Sequence, residues 1–131
     1  DNDGDEDLIA IHLDDRPVSL LRNDTQRVGQ PLGIELIGTR SPRSGIGATV
    51  FVRAGDQTWM RSIVGGGSYI SASDLRILVG IVATAPSAAV EVHWPSGEIE
   101  TWPNLKPKHY WRLVEGTANQ PAPGQPMASP R

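Results

Sequence analysis

Residues 89–102 read Ala-Val-Glu-Val-His-Trp-Pro-Ser-Gly-Glu-Ile-Glu-Thr-Trp, two alternating runs joined by Pro95-Ser96-Gly97. Apolar side chains at every second position give a strand one buried face and one wet face. Pro95 presets φ for the first turn position and Ser96 tolerates the second. Gly97 then supplies the positive φ of a type I turn with a G1 bulge. The stretch predicts a β-hairpin. Its register puts Val90, Val92, Trp94 and Trp102 on one face, and it sets Glu98 and Glu100 there as well.

On either side the same signal recurs. Candidate strands lie at 32–37, 48–53, 57–64, 75–79, 89–94, 99–102 and 110–114, separated by Gly, Ser, Pro or Asp. With 14 Gly and 11 Pro in 131 residues, nearly one position in five breaks regular structure. That density excludes a helical bundle or coiled coil, and no window of helical length carries a 3.6-residue period. The prediction is an all-β chain, an antiparallel β-sandwich of about seven strands.

Two flanking segments differ from this body. In residues 1–24, Leu8–Leu13 and Val18–Arg22 read as a short hairpin around Asp14-Asp15-Arg16-Pro17. Residues 116–131 hold Pro121, Pro123, Pro126 and Pro130 and little to bury, so a disordered tail is expected. The resulting division is 1–24, 25–115 and 116–131.

Charge is distributed unevenly. Residues 1–15 carry seven acids and no Lys or Arg, whereas residues 16–131 carry 12 basic residues against 8 acids. The basic residues are scattered, without the interleaved aromatics of a nucleic-acid surface. No run approaches the roughly 18 apolar residues of a membrane span, and the opening Asp-Asn-Asp-Gly-Asp-Glu-Asp-Leu is unlike a signal peptide. With no cysteine, disulfides, thiolate zinc sites and cysteine nucleophiles are all excluded.

Asp1, Asp3, Asp5 and Asp7 alternate around Gly4. Hard cations need six to eight oxygens, and alternating Asp with a central Gly can direct carboxylates at one point. These four are the candidate calcium ligands. Asp1 takes the third loop position and the first falls before the chain, so the loop reads as incomplete. A solvated acidic segment is the competing reading.

Other constellations are weaker. Arg40 and Arg43, in Arg-Ser-Pro-Arg-Ser-Gly-Ile-Gly, could clamp an anion beside backbone amides, though a plain connecting loop also accounts for them. Gly65-Gly66-Gly67 lacks the Lys-Ser/Thr of a phosphate loop and reads as a tight bend. His93 and Ser96 stand close on the hairpin, but no orienting acid or oxyanion hole accompanies them, so no catalytic residue is assigned. Four Trp and two Tyr against one Phe suggest rings that stack on sugars or anchor a protein. Trp94 and Trp111 read as core, while Tyr69 and Trp102 are the candidate surface contacts. Asn23-Asp24-Thr25 is a glycosylation sequon.

Several of these segments resemble known families. Leu-Leu-Arg-Asn-Asp at 20–24, the run at 32–52, Arg61 to Ser71, Asp-Leu-Arg-Ile at 74–77 and the Val-x-Val-x-Trp-Pro-Ser-Gly run at 90–97 are similar to the ASPIC/UnbV domain. Residues 1–22 resemble the end of an FG-GAP (VCBS, integrin-type propeller) repeat. One departure stands at 77–81, where Ile-Leu-Val-Gly-Ile replaces the family's His-Phe-Gly-Leu-Gly. The resemblance implies a secreted or cell-surface, non-catalytic interaction module beside a calcium-binding propeller. Its partner would be an extracellular protein or, alternatively, a glycan.

Overall fold

The computed structural model describes residues 3–13, 15–26, 28–67, 69–118 and 125–127. Ten strands appear in chain order: β1 (Leu8–Ala10), β2 (Ser19–Leu21), β3 (Gln30–Ile37), β4 (Thr49–Ala54), β5 (Gln57–Ser62), β6 (Ile77–Ile81), β7 (Ala88–His93), β8 (Ile99–Leu105), β9 (His109–Val114) and β10 (Gln125–Pro126). All seven body strands expected from periodicity are present.

Together with β10 they form two four-stranded sheets, ordered β10-β9-β3-β6 and β5-β4-β7-β8, and among the described residues β1 pairs only with β2. From β3 onward the chain passes back and forth between the layers. β3, β6 and β9 build one sheet, while the hairpins β4–β5 and β7–β8 build the other. One pairing departs from the antiparallel pattern: β3 and β9 run parallel, with Gly33 opposite Tyr110 and Leu36 opposite Leu113. A parallel neighbour requires a long crossover, and residues 38–108 supply it.

The core lies between the layers. Leu32, Ile34 and Leu36 of β3 and Leu113 of β9 face Val50, Val52, Val90, Val92, Trp94 and Trp102 of the second sheet, all essentially buried. In that sheet Val50 stands opposite Val92 and Val52 opposite Val90, so β-branched side chains meet across strands. Each such burial removes apolar surface worth about 25 cal/mol per Å². Trp94 is core as read from the sequence, and Trp111 is half-buried against it.

Hairpin β7–β8 follows the anticipated register, with Val90 opposite Trp102 and Val92 opposite Glu100, and Gly97 has φ 92°. The acids on the apolar face have partners. Glu100 accepts the amides of Gly116 (2.9 Å) and Ala118 (3.3 Å), and Glu98 accepts from Arg40 at 3.3 Å. Strand β8 runs further than expected, through a bulge in which Pro103 and Asn104 oppose Ala89. Proline is tolerated there because β8 is an edge strand.

Of the segment expected to be disordered, residues 116–118 and 125–127 are described: the amides of Gly116 and Ala118 donate to Glu100, Gln125 pairs with Tyr110 and Pro126 with His109. The rest, 119–124 and 128–131, lies outside the described residues.

Candidate functional site

Parallel pairing of β3 and β9 brings both strand ends to one edge of the sandwich. There the turn leaving β3 meets Glu115, the residue after β9, whose amide donates to the Ile37 carbonyl at 2.9 Å. Glu115 is 2% exposed. Its Oε2 accepts three successive backbone amides, Thr39 (2.8 Å), Arg40 (2.7 Å) and Ser41 (2.8 Å). Its Oε1 accepts the hydroxyls of Ser41 (2.9 Å) and Ser96 (2.5 Å). Ser41 Oγ in turn accepts the Ser96 amide at 3.1 Å. Burial opposes ionisation, but the Ser96 hydroxyl and the three amides outweigh it and hold this carboxyl far below the ordinary glutamate range.

The run of amides at 39–41 is therefore an anion nest, and the anion it holds is the chain's own. The donors to the nested carboxylate are these amides and the Ser41 and Ser96 hydroxyls, so the backbone of this loop is already occupied and the Arg40 and Arg43 guanidiniums stand apart from it. The Arg40 side chain pairs with Glu98 instead. Arg43 lines a cleft of about 560 Å³ with Glu35, Ile37, Ser44, Asp74, Leu75 and Arg76. No single residue of the nest carries a sequence signal. Glu115 is a lone acid behind an apolar strand, and only the parallel pairing shows its purpose.

His93 and Ser96 serve different carboxylates. His93 Nε2 lies 2.8 Å from Glu91 on the outer face of the second sheet, whereas Ser96 Oγ donates to Glu115. Glu91 also accepts from Arg53 at 2.9 Å. The hydrogen bonds from Arg53 and then His93 bring the Glu91 carboxyl down to about 2.

The two aromatic candidates separate. Tyr69 is 90% exposed, in the loop that carries Gly65–Gly67, beside exposed Ile70 at φ 52°. Trp102 is 1% exposed and packs within the core, so its assignment as a surface contact is corrected.

For the acidic loop, Asp1 lies outside the described residues. Asp3 Oδ1 accepts the amide of Asp5 at 3.3 Å, and Asp7 Oδ1 accepts the amide of Asn23 at 2.9 Å. The Asn23 amide lowers the Asp7 pKa. Among the described residues no three acidic or imidazole side chains group closely enough to hold one metal ion. The carboxylates at 3 and 7 thus each accept a backbone amide.

The loop at 39–47, the Trp-Pro-Ser-Gly turn and the closing glutamate fall within a single family match, which covers residues 38–120. The chain belongs to the ASPIC and UnbV family. The ASPIC and UnbV match takes in the nest, strands β4 to β9 and the cleft-lining residues from Arg43 to Arg76. It does not extend to β1 and β2. No curated protein and no solved structure matches the chain.

Proposed function

We propose that this ASPIC/UnbV domain is a non-catalytic extracellular interaction module, closing the carboxyl-terminal side of an FG-GAP propeller and presenting loops to a protein partner. One observation carries the reading. Among the described residues strands β1 and β2 pair only with each other, yet Leu8, Ile9, Ile11, Leu13, Val18, Leu20 and Leu21 are all exposed. A two-stranded sheet is marginal in water, and contiguous exposed apolar side chains mark a surface made to be covered. Because both faces are apolar, the hairpin has the pattern of the last strands of a larger sheet with packing on each side.

Support for the partner-binding half comes from the opposite pattern in the sandwich. Its core is closed and one edge is tied down at Glu115, while Tyr69 stands in water on a loop, where binding residues are commonly carried. A protein surface is the better match to one isolated ring than a sugar platform, which uses several.

Amide hydrogen exchange tests the first half. In the parent protein, the amides of Leu8–Ala10 and Ser19–Leu21 should exchange at least about tenfold more slowly than in this chain alone. Equal exchange in both would end the propeller reading. For the second half, a photo-reactive residue at position 69 should yield a discrete protein adduct from extracellular extracts. An adduct equally abundant when the probe sits at Arg61, on β5, would count against it.

A further inference from the structure

We propose that the cleft beside β3 binds a carboxylate carried on a small aliphatic body. Its volume, about 560 Å³, is that of a small-molecule site. Both acids in its wall are already neutralised. Glu35 accepts from Arg112 at 2.9 Å, and Asp74 accepts the Nε of Arg76 at 2.7 Å and its amide at 2.9 Å. Arg43 is different: it is exposed, and among the described residues it has no ion-pair partner. The cleft therefore carries one unmatched positive charge, on a planar fork suited to a carboxylate.

The neighbouring groups complete the chemistry. Ser44 stands next to Arg43 and offers a hydroxyl donor in the same wall. Ile37 and Leu75, both half-buried, give the cleft an apolar side. The wall is held firmly, since Ile37 pairs with Val114 and the loop leading to Arg43 hangs on Glu115. A ligand with an anionic head and a four- to five-carbon body satisfies the arginine and covers the leucine together. A cation would meet Arg43, and a purely apolar ligand would leave it desolvated without a partner.

Two sources share this chemistry: a free short-chain acid and the carboxyl-terminal residue of a peptide. Titration of the labelled chain with 4-methylpentanoate and with acetyl-glycyl-leucine, followed by amide chemical shifts, separates them. The expected result is saturable shifts at Ile37, Ser44 and Leu75, with Kd in the roughly millimolar range for a site this open. The carboxamide form of each ligand should bind at least about tenfold more weakly, the scale of one lost charge-assisted pair. Arg43→Ala should weaken both acids to the same extent, Leu75→Ala should weaken them less, and Arg61→Ala should leave them unchanged. Tighter binding by the peptide names a chain terminus as the source, and tighter binding by the free acid names a metabolite. Equal binding of acid and carboxamide, or full binding by Arg43→Ala, would overturn the proposal, as would no saturable shift with either acid. None of these outcomes depends on the hairpin or on a propeller.

Discussion

The hydroxyl of Ser96 donates to the carboxylate of Glu115 at 2.5 Å, joining the tip of the β7–β8 hairpin to the end of β9. Because Glu115 also receives the amides of Thr39, Arg40 and Ser41, one buried side chain ties both sheets together at this edge. A charge in that position is tolerable only because every contact to it is a donor.

Glu115→Ala is expected to lower the unfolding free energy by about 3–5 kcal/mol, as is typical when one member of a buried charged network is removed. Glu115→Gln should lose less, about 1–3 kcal/mol, since its amide oxygen still accepts while its NH₂ faces donors. Urea denaturation of the three proteins at neutral pH checks the order. A loss under 1 kcal/mol for the alanine variant would contradict the role assigned to the nest.

The same residue sets an acid limb. Its carboxyl sits below the ordinary value of 4.5 in the folded protein, so its contribution is present above that value and is lost as pH falls toward the folded one. Wild-type stability should decline from about pH 5 downward, and Glu115→Gln should flatten that decline. Parallel pH curves for the two proteins would show that other carboxylates govern it.

On the outer face of the second sheet, the carboxyl of Glu91 is expected to titrate near 2 because Arg53 and His93 both contact it. Arg53→Ala should move it up toward the ordinary value of 4.5, visible in the side-chain carboxyl carbon shift. Stability should change little, because Arg53 is solvent-exposed and its ion pair is screened. An unchanged titration in the variant would assign the depression to His93 alone.

Gly33 leaves room for an aromatic ring. A Cβ at this position would lie 2.1 Å from Cδ1 of Tyr110, whose ring also carries the Arg76 guanidinium at 4.7 Å. Gly33→Ala should therefore cost about 1–3 kcal/mol by displacing Tyr110. Pairing the change with Tyr110→Ala should recover most of that cost, a non-additivity readable in a double-mutant cycle.

The hairpin contributes little to the sandwich. Ile9→Thr with Leu20→Thr, a directly paired couple, should change the unfolding free energy by no more than about 0.5 kcal/mol while reducing binding of an apolar dye. For the acidic loop, calorimetric titration of this chain should find no calcium site tighter than about 1 mM, because Asp3 and Asp7 are turned to backbone amides. A tighter site abolished by Asp5→Asn would reverse that conclusion.

Much of this architecture could be read from residue order. Alternation in Leu32–Ile37 and Ala89–Trp94 identifies strands because the side-chain period of a strand is two, and Pro95-Ser96-Gly97 specifies its turn by φ preference alone. These are local properties, determined within a few residues. Even the awkward placement of Glu98 and Glu100 on the apolar face was legible from the hairpin register.

Tertiary structure decided what depends on which strand lies beside which. Period-two alternation is the same for a parallel and an antiparallel neighbour, so nothing in Tyr110–Val114 shows that β9 runs alongside β3 in the same direction. That direction places Glu115 at the amides of 39–41 and turns an apparent anion clamp inward. Among the described residues Arg43 has no ion-pair partner, and Trp102 is buried, neither of which local sequence shows. Contacts between residues 75 apart follow from how the two sheets close on each other, and local sequence preference does not reach that far.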